Sequence, residues 1–184
     1  LSSNKKKKSI RLVHVSDTNN HHASLYNIPC GDLFVHTGNI INPNESKSNA
    51  ILVFQDFIKW LENVVVPKFE MVVFIAGNHD DILDSIQHVS LREHLQATQT
   101  LMEFLHQYPS VRYLENSSVI FHDLVIYGTP TVYSKSLSEH PTDLPQTCHA
   151  FEQGMDNIGS LRNLDGVDIF LSNRAPSILS VEKD

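Results

Sequence analysis

The stretch that most constrains this chain is the apolar run over residues 71–76, which leads directly into Gly77-Asn78-His79-Asp80. A run of this kind predicts a buried strand that ends in a tight turn. Open α/β sheets place their sites at the carboxyl ends of strands, so the polar side chains of the turn are candidate site residues. Asn78 offers an oxygen ligand, and His79 offers an imidazole that can bind metal or donate a proton. A plain strand-to-helix turn, with Gly77 at the bend and Asp80 as a helix cap, explains the same residues.

The length and charge of the chain indicate one domain that is not a general nucleic-acid binder. A chain of 184 residues is long enough for a sizeable core, and its formal net charge is −7. The exception is a basic run, Lys5, Lys6, Lys7 and Lys8, which we assign to an arm over residues 1–9. This arm is either solvated or contacts RNA or an acidic surface. Residues 10–184 then form the domain.

Cysteine usage and the amino-terminal composition indicate an intracellular protein. Cys30 and Cys148 make neither a disulfide framework nor a metal motif, so we expect reduced thiols. No apolar stretch is long enough to span a membrane. The first sixteen residues contain no acid, which suits the tail of an import presequence, so the compartment is cytoplasmic or organellar, with mitochondria as one option.

Apolar periodicity predicts an order of strands and helices typical of an α/β fold. One predicted helix begins near residue 49 and ends at Pro67, and a second runs from residue 91 or 94 to 108 with Leu95, Leu101, Met102 and Leu105 on its core face. Residues 147–164 are predicted as a third, interrupted helix. The predicted strands cover residues 10–16, 32–36, 70–76, 111–114, 119–121, 124–127 and 168–171.

Four of these strands end in polar tips. The tips are Asp17, Asn39, the pair Asn78-His79, and Asn173. If the four strands lie side by side and parallel, their carboxyl ends meet at one edge of the sheet. The sequence therefore predicts one site built from four strand ends.

This series of strand ends resembles that of the calcineurin-like metallophosphoesterases, whose motifs read Asp-x-His, Gly-Asp, Gly-Asn-His-Asp/Glu, a lone His and Gly-His-x-His. Residues 12–19, 31–40, 74–80 and 168–176 are most similar to the small metallophosphoesterase-domain branch of animals and protists. The resemblance implies a β-sandwich of mixed sheets flanked by helices. It also implies two divalent metals bridged by a carboxylate, a metal-bound water as nucleophile, and a turn histidine that helps the leaving group depart.

The chain departs from this pattern at the positions that carry metal. Asp17, Asn78 and His79 match, but the histidine expected two residues after Asp17 is Asn19 and the bridging aspartate is Asn39. An amide lacks the charge and the second carboxylate oxygen that a bridge needs. His21 and His22 could replace the lost histidine only through a rebuilt loop.

The last motifs also differ. The lone histidine falls on Asn173, which is followed by Arg174 in place of the usual glycine, and no Gly-His-x-His segment is present. We therefore expect a sandwich that lacks its last strands and exposes a sheet edge, which partners could cover. Arg174 follows the end of the last strand, and its guanidinium either pairs with Asp17 as a replacement for the lost metal charge or points to solvent.

Three functions are compatible with these residues. In the first, Asp17, Asn39 and Asn78 are vestigial metal positions, His79 is a vestigial proton donor, no cofactor is bound, and the domain is a pseudoenzyme that serves as a protein subunit of a larger assembly. The alternative is a metal-dependent phosphodiesterase or phosphatase, with Mn, Fe or Zn, that hydrolyses phosphoesters such as nucleotides. The third is a metal-free phosphate-binding module that uses Arg174.

Overall fold

The computed structural model describes residues 9–84, 91–133, 150–153 and 164–173. Within them, two α-helices and nine strands alternate in an order typical of α/β proteins. The helices are α1 (Lys47–Trp60) and α2 (Leu91–Gln107). The strands are β1 (Leu12–Val15), β2 (Leu33–Thr37), β3 (Met71–Ile75), β4 (Val111–Tyr113), β5 (Ser117–Phe121), β6 (Leu124–Thr129), β7 (Val132–Tyr133), β8 (Glu152–Gln153) and β9 (Ile169–Ser172).

The strands form two larger sheets. The first has the order β1-β2-β3-β4, and all of its neighbouring strands are parallel. The second has the order β5-β6-β9, in which β5 is antiparallel and β9 parallel to β6. The short strands β7 and β8 pair in parallel. This arrangement confirms the predicted α/β fold with mixed sheets flanked by helices.

Alternation along the central strands places the first sheet between the helices and the second sheet. On β2, Phe34 packs with side chains of α1 and α2 in one buried cluster, whereas Leu33 and Val35 pack in another cluster against the second sheet. Successive side chains of a strand point to opposite faces, which is why consecutive residues of β2 serve both layers. All five residues of β2 are buried.

An aromatic cluster anchors α1 to the first sheet. The rings of Phe57 and Phe74 lie 5.9 Å apart, and those of Phe34 and Trp60 lie 6.0 Å apart, both edge to face. Because each such ring buries a large apolar area, these contacts fix the helix over the strands whose ends carry the candidate site.

The helices differ in detail from the sequence predictions. Ser46 caps α1 by accepting the N–H of Asn49, so the helix begins slightly before the predicted start near residue 49. Pro67 does not end the helical segment, because a π-helical turn (Leu61–Val65) and a 3₁₀ turn (Val66–Lys68) continue it. Pro67 is tolerated there because it lies in the first turn of the 3₁₀ helix, where a backbone N–H donor is not needed.

The predicted core face of α2 was partly wrong. Leu101 is buried as expected, but Leu95 and Met102 are 57% and 62% exposed, and the buried positions are Ala97 and Phe104. This helix has apolar residues on more than one side, so periodicity did not decide which side packs. The predicted helix over 147–164 was also wrong where the structure describes it, because residues 150–153 form a turn followed by β8.

The predicted strands over residues 119–121 and 124–127 are confirmed as parts of β5 and β6, which form a hairpin. His122 and Asp123 connect the two strands with φ values of 47° and 70°. Two successive positive φ angles match the tight turns that follow the twist of a hairpin. Neither described helix is both long and apolar enough to cross a membrane.

Candidate functional site

Three of the four predicted strand tips lie at the carboxyl edge of the first sheet. Asp17 follows β1, Asn39 follows β2 and Asn78 follows β3, and these strands are parallel neighbours. The fourth tip, Asn173, follows β9 of the second sheet, so the prediction that all four strands share one sheet was wrong. Asn173 nevertheless reaches the same place, because its Nδ2 donates to the backbone oxygen of Thr37, 2.8 Å away.

Asn39 links two of the other turns through its side-chain amide. Its Oδ1 accepts the backbone N–H of His79 at 3.2 Å, and its Nδ2 donates to Oδ1 of Asp17 at 2.8 Å. The opposite amide orientation would set a donor against the His79 N–H and an oxygen against the Asp17 carboxylate. The hydrogen bonds therefore fix an N–H group toward Asp17, at the position where the family pattern has a bridging carboxylate.

Asn19 and Asn173 hold their amides in the same way. The Nδ2 of Asn19 donates to the backbone oxygen of Asp17 at 3.0 Å, just as that of Asn173 donates to Thr37. The Oδ1 atoms of Asn19 and Asn173 are both buried and have no hydrogen-bond partner among the described residues. Both positions thus present an amide oxygen where the family pattern has a histidine.

Backbone geometry brings the turns into close contact. A Cβ added to Gly77 would lie 2.3 Å from Oδ1 of Asn39 and 2.9 Å from Cγ of Asn173. A glycine is therefore required at this point of the turn. Asp17, Asn19 and Asn39 have φ values of 53°, 43° and 54°. Asparagine and aspartate tolerate this left-handed region better than most residues, and such strain clusters at functional sites.

Asp80 holds two of the turns together. Its carboxylate is fully buried and accepts the N–H groups of Gly77 at 2.8 Å, Ile41 at 2.9 Å and Ile40 at 3.3 Å. Burial raises the pKa of Asp80 to about 6, against the lowering effect of these donors. The sequence interpretation as a helix cap was wrong, because the side chain makes no cap hydrogen bond to the 3₁₀ turn that follows.

A buried histidine that sequence reasoning assigned no role lies beneath the site. Nδ1 of His36 accepts the N–H of Gly38 at 3.2 Å, so the proton of the neutral ring is on Nε2, which lies 3.2 Å from Oγ1 of Thr18. Burial is the main reason why the pKa of His36 is lowered to about 3. This ring supports the loops that carry Asp17 and Asn39. The sequence signal that could have indicated this role was the position of His36 near the end of a predicted strand.

One of the two histidines that could have replaced the lost ligand, His22, is bonded elsewhere. His22 is 1% exposed and lies among Phe57 and Trp60, and its Nε2 bonds to Oδ2 of Asp56 on α1 at 3.0 Å. Burial lowers the pKa of His22 despite the Asp56 contact. His22 is therefore a core histidine bonded away from the strand tips.

Some of the remaining predicted site residues are described by the structure and others are not. Asn78 is buried and His79 is half-buried in the turn after β3, as predicted. Arg174 and Lys5, Lys6, Lys7 and Lys8 lie outside the described residues, so their predicted contacts stay predictions.

The donor set does not fit two divalent cations. Such a pair needs several negative ligands, because two dications at close range repel strongly. The tips provide the carboxylate of Asp17, which bonds to the Asn39 amide and to the hydroxyl of Ser16, together with neutral amides and His79. Among the described residues, no group of three or more His, Cys, Asp or Glu side chains is arranged to hold a metal ion.

Comparison with known proteins gives the family. The family model described as calcineurin-like phosphoesterase matches residues 10–179. One curated relative, a protein described as probable rhamnogalacturonate lyase C of Emericella nidulans, is 32% identical over 126 residues, which are 66% of this chain and 10% of that protein. The chain thus spans about a tenth of the length of this relative.

Two solved structures share the fold. One crystal structure has a TM-score of 0.54 and 13% identity, covering 85% of this chain and 64% of its own chain. The crystal structure of TT1561 of Thermus thermophilus has a TM-score of 0.50 and 9% identity, covering 85% of this chain and 62% of its own. At these identities the likeness concerns the fold alone.

Proposed function

This chain belongs to the calcineurin-like phosphoesterase family, and we propose that it is a member without hydrolytic activity that serves as a subunit of a larger assembly. The observation that carries the proposal is the hydrogen bond from Nδ2 of Asn39 to Oδ1 of Asp17, at 2.8 Å. A bridging position must present negative charge to both cations. Here the same position presents an N–H group and uses the Asp17 carboxylate as its acceptor.

The amide side chains also give the site a stable arrangement of their own. Asn39 donates to Asp17 after β1 and Asn173 donates to Thr37 at the end of β2, so these segments hold together through hydrogen bonds. Asn19 donates within its own turn, to the backbone oxygen of Asp17. The Asp17 carboxylate is exposed beside these amides, where a positive group can pair with it. We propose that Arg174, which directly follows Asn173, supplies this positive charge to Asp17.

The test of inactivity combines a hydrolysis assay with a rebuilt site. The wild-type chain is assayed on phosphomonoesters and phosphodiesters with added Mn²⁺, and Mn²⁺ binding is measured by calorimetry. We expect no turnover and no stoichiometric binding. The variant Asn19→His/Asn39→Asp/Asn173→His restores three of the ligands of the family pattern and is expected to bind Mn²⁺. The variant Asn63→Asp is the control, because Asn63 is an exposed amide whose Nδ2 donates to the backbone oxygen of Lys59 at 2.7 Å.

Turnover by the wild-type chain that disappears in the His79→Ala variant would show an active enzyme and overturn the proposal. Such a result would favour the metal-dependent phosphodiesterase or phosphatase. Elemental analysis of the purified chain for Mn, Fe and Zn would then identify the cofactor.

An exposed apolar stripe on α2 supports the assembly part of the proposal. Leu91, Leu95 and Met102 are 71%, 57% and 62% exposed, and their spacing of four and seven residues places them on one side of the helix. Exposed stripes of this kind are typical of interaction surfaces. We expect Leu95→Glu/Met102→Glu to reduce the native size of the assembly in cell extract, measured by gel filtration. Leu52→Glu, on an exposed position of α1, is the control.

A further inference from the structure

Two buried oxygens at the strand tips lack hydrogen-bond donors among the described residues. The amide nitrogens of Asn19 and Asn173 are bonded to the backbone oxygens of Asp17 and Thr37, so each Oδ1 is directed away from that contact. Both Oδ1 atoms are closed to solvent and have no partner in the part of the chain that the structure describes. Buried acceptors are nearly always paired, because an unpaired one costs about 1–3 kcal/mol. These two oxygens are therefore acceptors without a donor among the described residues, and a water or a ligand can supply one.

The charge at the tips decides which kind of donor fits. Asp17 is exposed, and its carboxylate is the anionic side chain next to the Asn39 amide. Oδ1 of Asn39 and Cγ of Asn173 both lie within 3 Å of one point above Gly77, at 2.3 and 2.9 Å, so these two amides and Asp17 are contiguous. One carboxylate with surrounding acceptor oxygens matches one positive charge that carries N–H groups.

Resting on the proposed function, we infer that the strand tips bind a guanidinium or ammonium group at the place that metals take in the family. The N–H groups of one singly charged cation can bond to the exposed Asp17 carboxylate and to an amide oxygen beside it. An anion such as phosphate does not fit, because the unpaired atoms are acceptors and the exposed side chain is negative. The cation comes either from this chain, as Arg174, or from a basic side chain of a partner.

Methylguanidinium is the probe, and binding to the full chain is followed by NMR of the asparagine side-chain amides at constant ionic strength. Wild type and Arg174→Ala are titrated separately, with K⁺ and inorganic phosphate as comparison ions. If the cation comes from a partner, both proteins bind the probe equally. If Arg174 supplies it, only Arg174→Ala binds the probe. Either result supports the inference and identifies the source.

Variants locate the binding. Asp17→Asn is expected to weaken methylguanidinium binding about tenfold or more, since it removes the charge that the cation pairs with. Asn63→Ala, which removes an amide anchored on a helix carbonyl, should leave binding unchanged. Circular dichroism checks that each variant is folded.

The inference is overturned if neither protein shows a saturable response to methylguanidinium, if Asp17→Asn binds as well as its parent, or if phosphate gives the same response. These outcomes are separate from failure of the proposed function, which appears as Mn²⁺ binding or phosphoester hydrolysis by the wild-type chain.

Discussion

Replacing Asn39 with aspartate reverses the one contact that most distinguishes this site. The hydrogen bond of 2.8 Å between Nδ2 of Asn39 and Oδ1 of Asp17 becomes a contact between two carboxylate oxygens. At that separation the Coulomb repulsion is about 1.5 kcal/mol in water and about 6 kcal/mol at an effective dielectric constant of 20. Asn39 is buried and Asp17 is exposed, so an intermediate value applies. Together with the lost hydrogen bond, we expect Asn39→Asp to lower the free energy of unfolding by about 3 kcal/mol at pH 7.

The assay is thermal and urea unfolding of wild type and Asn39→Asp between pH 7.5 and 4, with and without Mn²⁺. A loss of about 3 kcal/mol corresponds to a fall in Tm of about 6–12 °C for a chain of this size. The loss should shrink toward pH 4 as the carboxylates are protonated, and Mn²⁺ should restore the Tm of Asn39→Asp at pH 7 because a cation offsets the repulsion.

One control variant makes this prediction specific. Asn63→Asp introduces the same charge on the exposed end of the helical segment and should change stability by less than about 0.5 kcal/mol. The reasoning fails if Asn39→Asp is as stable as wild type at pH 7, or if Mn²⁺ raises the Tm of both proteins equally.

Three further changes test the elements that support the site. Asp80→Asn should remove a pH-dependent contribution to the free energy of unfolding. Because the pKa of Asp80 is about 6 in the folded chain against 3.8, Asp80 stabilises the fold most below pH 4 and about 3 kcal/mol less above pH 6. In urea unfolding, the stability of wild type relative to the variant should therefore increase as pH falls. His36→Phe should show the opposite trend. The pKa of His36 is about 3 in the folded chain against 6.5, so between pH 6.5 and 5 the unfolded chain binds a proton at His36 and the folded chain does not. Wild type should therefore lose about 2 kcal/mol of unfolding free energy relative to the variant over this range. Gly77→Ala should cost more than about 3 kcal/mol in thermal unfolding, because its Cβ would lie 2.4 Å from the backbone nitrogen of Asn39, and a near-neutral result would show that the turns are not in close contact.

Sequence reasoning located the strand tips because each follows an apolar run, and parallel pairing then brings the tips together. It could not assign Asn173 to the second sheet, because the residues of a short apolar strand do not indicate which sheet the strand joins. The role of Asp80 could also not be predicted from the sequence, since its carboxylate accepts the N–H groups of Ile40 and Ile41, about forty residues earlier. Only the folded arrangement of two turns makes that carboxylate a link between them.

The face that α2 buries shows a second limit of periodicity. Leu95 and Met102 are larger and more apolar than Ala97, yet Ala97 is 1% exposed and the other two lie at the surface. Ala97 belongs to the buried cluster that α2 shares with α1, which the hydrophobicity of single residues does not indicate. An interface between helices is chosen by fit as well as by apolar area.

The amides at the strand tips explain how this site can keep its shape without the charges of the family pattern. Asparagine has nearly the shape of aspartate and tolerates the left-handed backbone that Asn39 adopts at φ 54°, so the exchange leaves the turn intact. It also adds N–H donors, and each of these donors contacts a different turn: Asn39 contacts Asp17, and Asn173 contacts Thr37. Because these bonds join the ends of β1, β2 and β9, they connect both sheets at the point where the family pattern has metal ligands. A set of turns held in this way keeps the exposed Asp17 carboxylate in a fixed place, which is what recognition of a cationic group requires.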